Sequence, residues 1–143
     1  MWTFEYSLEC PVAPDFAWRF WTKVENWAVV DSSAESVQLN GPFAAGSIGI
    51  TKLEGREPIE WQIVQVDEGR SATIEMALPR ATIQFCWGFG ESEKGTQITQ
   101  RITIEGEQAE VLGRTAGAEF ERGVPEGMRK LAEAIARAAD QRV

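Results

Sequence analysis

The sequence predicts an α+β fold in which six or seven antiparallel strands are covered by one long C-terminal helix. Several runs alternate apolar and polar residues and are joined by short links, which favours an antiparallel meander. One long amphipathic stretch closes the chain, and it is the only such element available to cover the apolar face of a sheet. The length of 143 residues suits one domain, and we expect it to span residues 1–143.

The first elements are a strand and two helices. "WTFEYSLEC" alternates from Trp2 to Cys10, as a half-buried strand does. Helical spacing then begins near Pro14, which suits a first helical position, and Asp15 suits the first turn. A second short helical turn is expected near residues 25–29.

Six further strands are expected after the second helix, separated by turn residues. Their sequences are "ESVQL", "SIGITKL", "IEWQIVQVDE", "SATIEMAL", "ATIQFCWGFGE" and "TQITQRITIEG". The link "NGPFAAG" is expected to be a long hairpin loop. Its glycines, Gly41 and Gly46, together with Gly49, would let it bend over a pocket mouth, or they are ordinary turn residues.

The C-terminal stretch "VPEGMRKLAEAIARAADQRV" is expected to be helical. It places Val124, Met128, Leu131 and Ile135 on one face. Pro125 either opens this helix or kinks a longer one that starts earlier.

Composition excludes several classes of function. The net charge is −8, from 22 acidic and 14 basic residues without a basic cluster, so a nucleic-acid partner is not expected. Apolar runs are too short for a membrane span. Histidine is absent, which removes the commonest general base and most zinc sites. No metal-ligand spacing or phosphate-binding glycine loop is present, and we expect no metal and no cofactor.

The two cysteines, Cys10 and Cys86, lie far apart and form no CxxC motif. The first residues do not have the pattern of a secretory leader. These observations predict reduced, mostly buried thiols and a cytoplasmic location.

The chain resembles the START-like superfamily, also called SRPBCC or helix-grip, in its polyketide cyclase/dehydrase branch. The resemblance rests on "VENWAVVDSSAESVQLNGPFAAGS", "EWQIVQVDEG", "RITIEG" and "GVPEGMRKLAEAI". Trp27 and Asp31 match the Trp and Asp of a motif that usually continues to proline, where this chain has Ser32. The family often has a histidine before the arginine of its last strand, and here Gln100 precedes Arg101.

The resemblance implies a helix-grip fold, a curved sheet wrapped around the C-terminal helix, with two short helices after the first strand. A cavity would lie between sheet and helix, and the stretch 26–47 would be its hinged rim. Large inward rings are numerous, six Trp and seven Phe in total, and they either fill a solid core or line this cavity. The ligand-binding residues we predict are Tyr6, Trp27, Trp61, Met76, Phe85, Trp87, Gln100, Phe120 and Met128.

Two polar residues stand out on the inward faces. Gln100 lies between Ile98 and Ile102, and a buried amide needs a partner. That partner is either internal, from Tyr6, Thr96 or a trapped water, or it is a polar group of a ligand. The hydroxyl of Tyr6 either fills space or donates to a ligand carbonyl.

Three functions remain open at this point. The first is binding of a small hydrophobic molecule, cyclic or lipid-like, oriented by Gln100 and Tyr6. The second is a cyclase or dehydratase acting on a polyketide-like substrate, for which we identify no catalytic residue. The third is a chaperone-activator-like interaction module, which would expose an apolar patch, with Trp18 or Phe43 as candidates. The ligand is not identified, and a homodimer is left open.

Overall fold

The computed structural model describes residues 1–30 and 34–141. Asp31 and Ser32, part of the family motif, lie outside the described residues. In chain order the elements are β1 (Trp2–Cys10), α1 (Pro14–Thr22), α2 (Glu25–Val30), β2 (Ala34–Asn40), β3 (Ile48–Leu53), β4 (Ile59–Asp67), β5 (Ser71–Leu78), β6 (Ala81–Ser92), β7 (Gly95–Glu105), α3 (Ala109–Arg114) and α4 (Ala116–Gln141).

The seven strands form one antiparallel sheet in the order β1-β7-β6-β5-β4-β3-β2. Every neighbouring pair from β2 to β7 is a hairpin, and β1 joins at the β7 edge. The register is continuous across the middle of the sheet, so that Tyr6 and Trp87 both lie opposite Gln100. Irregularities in β2 and β4 interrupt the pairing, and such bulges bend and twist a sheet. The fold is the helix-grip fold that the sequence predicts.

Polar and apolar residues alternate along the strands, so the sheet has a solvent-exposed face and an apolar face. In β7 the odd residue Arg101 is exposed and pairs with Glu5 of β1, with N–O separation 3.8 Å. The even residues Ile98, Ile102 and Ile104 are fully buried. Helix α4 crosses this apolar face and packs most extensively against β1.

The two readings of Pro125 are resolved by the bounds of α4. The helix begins at Ala116, so Pro125 lies inside it rather than at its start. The sequence reading also missed α3, which directly precedes α4. Both helices pass close to Trp2: a Cβ added at Gly113 or Gly117 would come within 2.6 and 2.7 Å of its ring.

The loop between β2 and β3 packs inward at one end of the molecule. Phe43 meets Trp18 and Trp21 edge-on, with ring centroids 6.1 and 5.3 Å apart. Trp18 is 2% exposed, and its indole N–H donates to Glu68 at 3.1 Å. The expectation of an exposed patch formed by Trp18 or Phe43 is therefore wrong, because Trp18 belongs to the buried core and Phe43 packs partly buried against it.

Among the described residues, no helix is long and apolar enough to cross a membrane.

Candidate ligand cavity between the sheet and α4

A cavity of about 870 Å³ separates the sheet from the first half of α4. At the other end of α4, Ile98 of the sheet and Ile135 of the helix are both fully buried and belong to one hydrophobic cluster, with no described cavity-lining residue beyond Leu131 on α4.

Two features keep the sheet and α4 apart at the cavity. The sheet presents large rings, Phe85 and Trp87, and α4 contributes Gly123 and Gly127, which have no side chains to fill the space. Phe120 of α4 packs edge-on against Phe85 at one side of the cavity, with ring centroids 5.7 Å apart.

Closely packed tryptophan rings, one pair stacked and two tilted, form one wall of this cavity. The rings of Trp27 and Trp61 lie 5.1 Å apart at 31°, and those of Trp21 and Trp27 lie 5.5 Å apart at 30°. Trp87 continues the wall, with its ring centroid 5.3 Å from that of Trp21. Such contacts add to the free energy of ring burial, so the wall is ordered without a ligand.

Hydrogen bonds hold two of these rings in place. The indole N–H of Trp27 donates to the carbonyl of Trp21 at 2.7 Å, and that of Trp61 donates to Thr51 Oγ1 at 2.9 Å. The Trp61 ring lies over Gly49, where an added Cβ would come 2.2 Å from it. Gly49 is therefore required by a close approach of Trp61, and the sequence prediction that it bends a loop does not describe its role.

Gln100 supplies the polar group deepest within the apolar lining. Its side chain is 8% exposed and has no hydrogen-bond partner among the described residues. Thr96, one partner considered above, donates instead to the carbonyl of Val12 at 2.6 Å. No described side-chain N or O atom is both sealed from solvent and unpartnered, so the Gln100 amide is reachable from the cavity.

The structure brings together all but one of the residues predicted as ligand-binding. Those that line the cavity are Trp27, Trp61, Met76, Phe85, Trp87, Gln100, Phe120 and Met128. Tyr6 is not among the lining residues. It lies beside Gln100 in the register but packs against the main hydrophobic core.

Other lining residues were not predicted. Ile59 and Ile74 share the alternating faces of Trp61 and Met76, so the period-two pattern already contained their signal. The lining residues that α4 contributes before Pro125 had no such signal, because the sequence allowed two different starts for this helix. The other lining residues outside the predicted set are Trp21, Ala34, Val37, Thr51, Leu53, Ile102, Glu119, Arg122, Gly123, Val124, Glu126, Gly127, Lys130 and Leu131.

The exposed lining residues place the mouth of the cavity along α4. Those residues are Glu119, Arg122, Gly123, Glu126 and Lys130. Of the predicted rim, residues 26–47, the described residues Trp27, Ala34 and Val37 line the cavity. The loop 41–47 contributes no lining residue, so the prediction that this glycine-containing loop bends over the mouth is wrong. Its Phe43 is directed into the aromatic core instead of toward an opening.

Among the described residues, the titratable side chains of the lining are all at this mouth: Glu119, Arg122, Glu126 and Lys130. Glu126 is held by Arg129, whose hydrogen bond and positive charge lower the pKa of that carboxyl. No group of three or more His, Cys, Asp or Glu residues in the described ranges could hold a metal ion.

The profile of the family described as polyketide cyclase / dehydrase and lipid transport matches residues 1–140. The chain belongs to this family. The polyketide cyclase/dehydrase resemblance seen in the sequence is thereby confirmed. A search of the curated proteins found no significant match.

Solved structures of the same fold include proteins with different printed roles. Ara h 8.0201 superposes with a TM-score of 0.77 at 12% identity, covering 95% of this chain and 98% of its own. Protein MLL2253 from Mesorhizobium loti gives 0.76 at 14%, with coverage of 95% and 98%. Norcoclaurine synthase from Thalictrum flavum, in complex with dopamine and hydroxybenzaldehyde, gives 0.73 at 10%, with coverage of 95% and 87%. At these identities the likeness shows the fold alone.

Proposed function

We propose that this family member binds a small hydrophobic molecule with a rigid ring system in the cavity between the sheet and α4. One observation carries the proposal: the amide of Gln100, which has no partner among the described side chains, opens into a mainly apolar cavity lined by tryptophan rings. An unpaired buried amide is unfavourable by about 1–3 kcal/mol, and a ligand group that bonds it recovers that free energy.

The size and lining of the cavity suit such a ligand. Small-molecule pockets range over roughly 300–1,000 Å³, and 870 Å³ falls near the top of that range. Burial of rings against the tryptophan wall would contribute about 25 cal/mol per Å² of apolar area, less the free energy of ordering the ligand. Orientation would come from Gln100, whose amide both donates and accepts, so a carbonyl or hydroxyl on the ligand would satisfy it.

Enzymatic cyclisation or dehydration is the second candidate, and the family description includes it. Norcoclaurine synthase, which shares the fold, is described with two aromatic ligands, and that supports aromatic compounds for this cavity as well. Acid–base catalysis needs a proton donor or acceptor within reach of the reacting atoms. The titratable lining groups described here are at the mouth, on α4, and that distribution favours binding over catalysis.

We place the protein in the cytoplasm as part of the same proposal. Cys10 and Cys86 are both free thiols, as expected in a reducing compartment.

Tryptophan fluorescence tests the proposal directly, because several tryptophans line the cavity. We expect saturable quenching on titration with at least one member of a panel of flat aromatic, fused alicyclic and long-chain aliphatic compounds. Trp87→Phe should reduce the quenching amplitude, because Trp87 lines the cavity. Trp2→Phe is the matched control, since Trp2 lies outside the lining and the change should leave the amplitude nearly intact. Absence of any saturable response across the panel would refute ligand binding.

A further inference from the structure

Two pairs of glycines, each spaced four residues apart, have opposite surroundings in the C-terminal helices. A Cβ at Gly113 or Gly117 would collide with the ring of Trp2. Gly123 and Gly127 lie within α4 and line the cavity, and a Cβ at either would meet no atom of the described residues within 4 Å. Close packing therefore explains the first pair and not the second.

Backbone conformation does not explain the second pair either. Gly123 and Gly127 are not among the positive-φ glycines, so any residue could adopt their helical conformation. Glycine is among the poorest residues in a helix interior, and Pro125 between them removes a helical hydrogen bond. In the ligand-free protein these residues weaken α4 without a compensating contact.

A second observation in the same cavity points to a bound molecule as the reason for the two glycines of α4. Gln100, on the sheet side, is more than nine-tenths buried, reaches the cavity and has no side-chain hydrogen-bond partner within residues 1–30 and 34–141. Both sides of the cavity thus have a feature that a bound molecule would complete: an amide without a described hydrogen-bond partner on the sheet, and two lining positions without side chains on α4.

We propose that Gly123 and Gly127 are specificity-determining residues that set the thickness of the ligand. This inference rests on the proposed function. The ligand would be a flat, rigid ring system lying between the exposed backbone of α4 and the rings of the sheet. Because neither glycine has a side chain, the gap between α4 and the rings of the sheet leaves the space that such a ring system needs. A methyl group at either position would narrow that gap.

The test uses the full chain and the probe anilinonaphthalene sulfonate (ANS), a ring compound that fluoresces on binding apolar protein sites. The variants are Gly123→Ala, Gly127→Ala, the double variant and Gly127→Leu. Each alanine should raise Tm by roughly 3 °C, because alanine favours a helix more than glycine. The double variant should bind ANS at least tenfold more weakly, and Gly127→Leu should abolish binding while remaining folded.

Gly90→Ala is the matched control. Gly90 is exposed in β6, outside the cavity lining, and a Cβ there also meets nothing within 4 Å. The affinity of the Gly90→Ala variant for ANS should stay within twofold of that of the wild type.

The test is decisive because the two measured quantities, Tm and the affinity for ANS, should change in opposite directions. Higher Tm with weaker ANS binding supports the inference, since a purely structural role would move both in the same direction. Wild-type affinity in the double variant would overturn the inference and leave the proposed function standing. Loss of both Tm and binding would assign the glycines to packing and also overturn it. If the wild-type protein binds neither ANS nor any compound of the panel, the proposed function itself fails and the inference with it.

Discussion

At the scale of single residues, Gln100 determines which chemical groups the cavity can accept. Its neighbours Ile98 and Ile102 in β7 are fully buried, so an apolar residue would be ordinary at this position. The amide instead faces the cavity without a partner. Sequence alternation placed it on the buried face, but the internal hydrogen bond considered for it is absent among the described residues, since Thr96 bonds elsewhere.

Gln100→Leu should separate stability from specificity. Because the amide makes no internal hydrogen bond, its removal should leave the free energy of unfolding unchanged or raise it by about 1 kcal/mol. Affinity for a carbonyl-bearing ring compound should fall by about tenfold, which corresponds to about 1.4 kcal/mol, while affinity for its hydrocarbon analogue should hold. Urea unfolding and fluorescence titration measure the two effects. A marked loss of stability would mean that the amide has a structural partner.

Gly49→Ala tests the ordering of the tryptophan wall. A Cβ at Gly49 would overlap the ring of Trp61, which is 6% exposed and bonded to Thr51. We expect a loss of about 1–3 kcal/mol in the free energy of unfolding, as in other overpacked sites. The control is Gly88→Ala, where a Cβ meets nothing within 4 Å and the change should be small. Equal stability of the two variants in urea would show that the Trp61 ring moves freely.

At the scale of elements, strands were far more predictable than the helix that covers them. Period-two alternation placed every strand within about two residues of its observed bounds, because each has one buried and one wet face. The first half of α4 was left open because Gly117, Gly123 and Pro125 are poor helix residues. Contact with Trp2 overrides the low propensity at Gly117, and no local pattern reports a contact with the first strand.

Gly117→Ala should therefore destabilise the protein although it improves helix propensity. Its Cβ would come 2.7 Å from the Trp2 ring, and we expect a loss of about 1–3 kcal/mol. In a Trp2→Leu background the same change should cost little, because the ring is gone. A double-mutant cycle by urea unfolding measures the coupling. Additive effects would rule out contact between Trp2 and this helix as the reason for glycine.

At the scale of the whole molecule, one end of the sheet–helix sandwich is solid and the other holds the cavity. The sequence predicted most of the lining, since inward rings follow from alternation. The prediction placed the mouth wrongly at the loop 41–47, because its position depends on where α4 begins and on the inward packing of Phe43. That residues 1–143 form one domain stays a prediction, and the question of a homodimer stays open.

The two cysteines differ in burial, and Cys10 lies at the end of the molecule that holds no cavity. Cys10 is fully buried, its thiol lies 3.7 Å from the carbonyl of Ala132 on α4, and burial raises its pKa. Cys86 is partly exposed. In the native protein, Ellman's reagent should titrate Cys86 rapidly and Cys10 only at the rate of unfolding, and Cys86→Ser should abolish the rapid phase. Two rapid thiols would contradict a closed end.

The same raised pKa gives a pH dependence. A thiol whose pKa is higher in the folded than in the unfolded state contributes stability below the unfolded pKa and loses it as the pH rises through the folded pKa. Stability of the wild type should therefore decline in mildly alkaline solution, and Cys10→Ala should lose this component of the decline. Urea midpoints measured across the alkaline range for both proteins test it, and parallel pH profiles would contradict the assignment.

A high-resolution crystal structure of the protein with bound ANS tests the central claim most directly. The account predicts density for one ANS molecule inside the cavity, with its rings between the tryptophan wall and the backbone at Gly123 and Gly127 and a polar atom within hydrogen-bond distance of Gln100. An interior closed by direct packing of Trp87 on α4 at Gly123 and Gly127, with ANS absent or bound only at the outer surface, would contradict it.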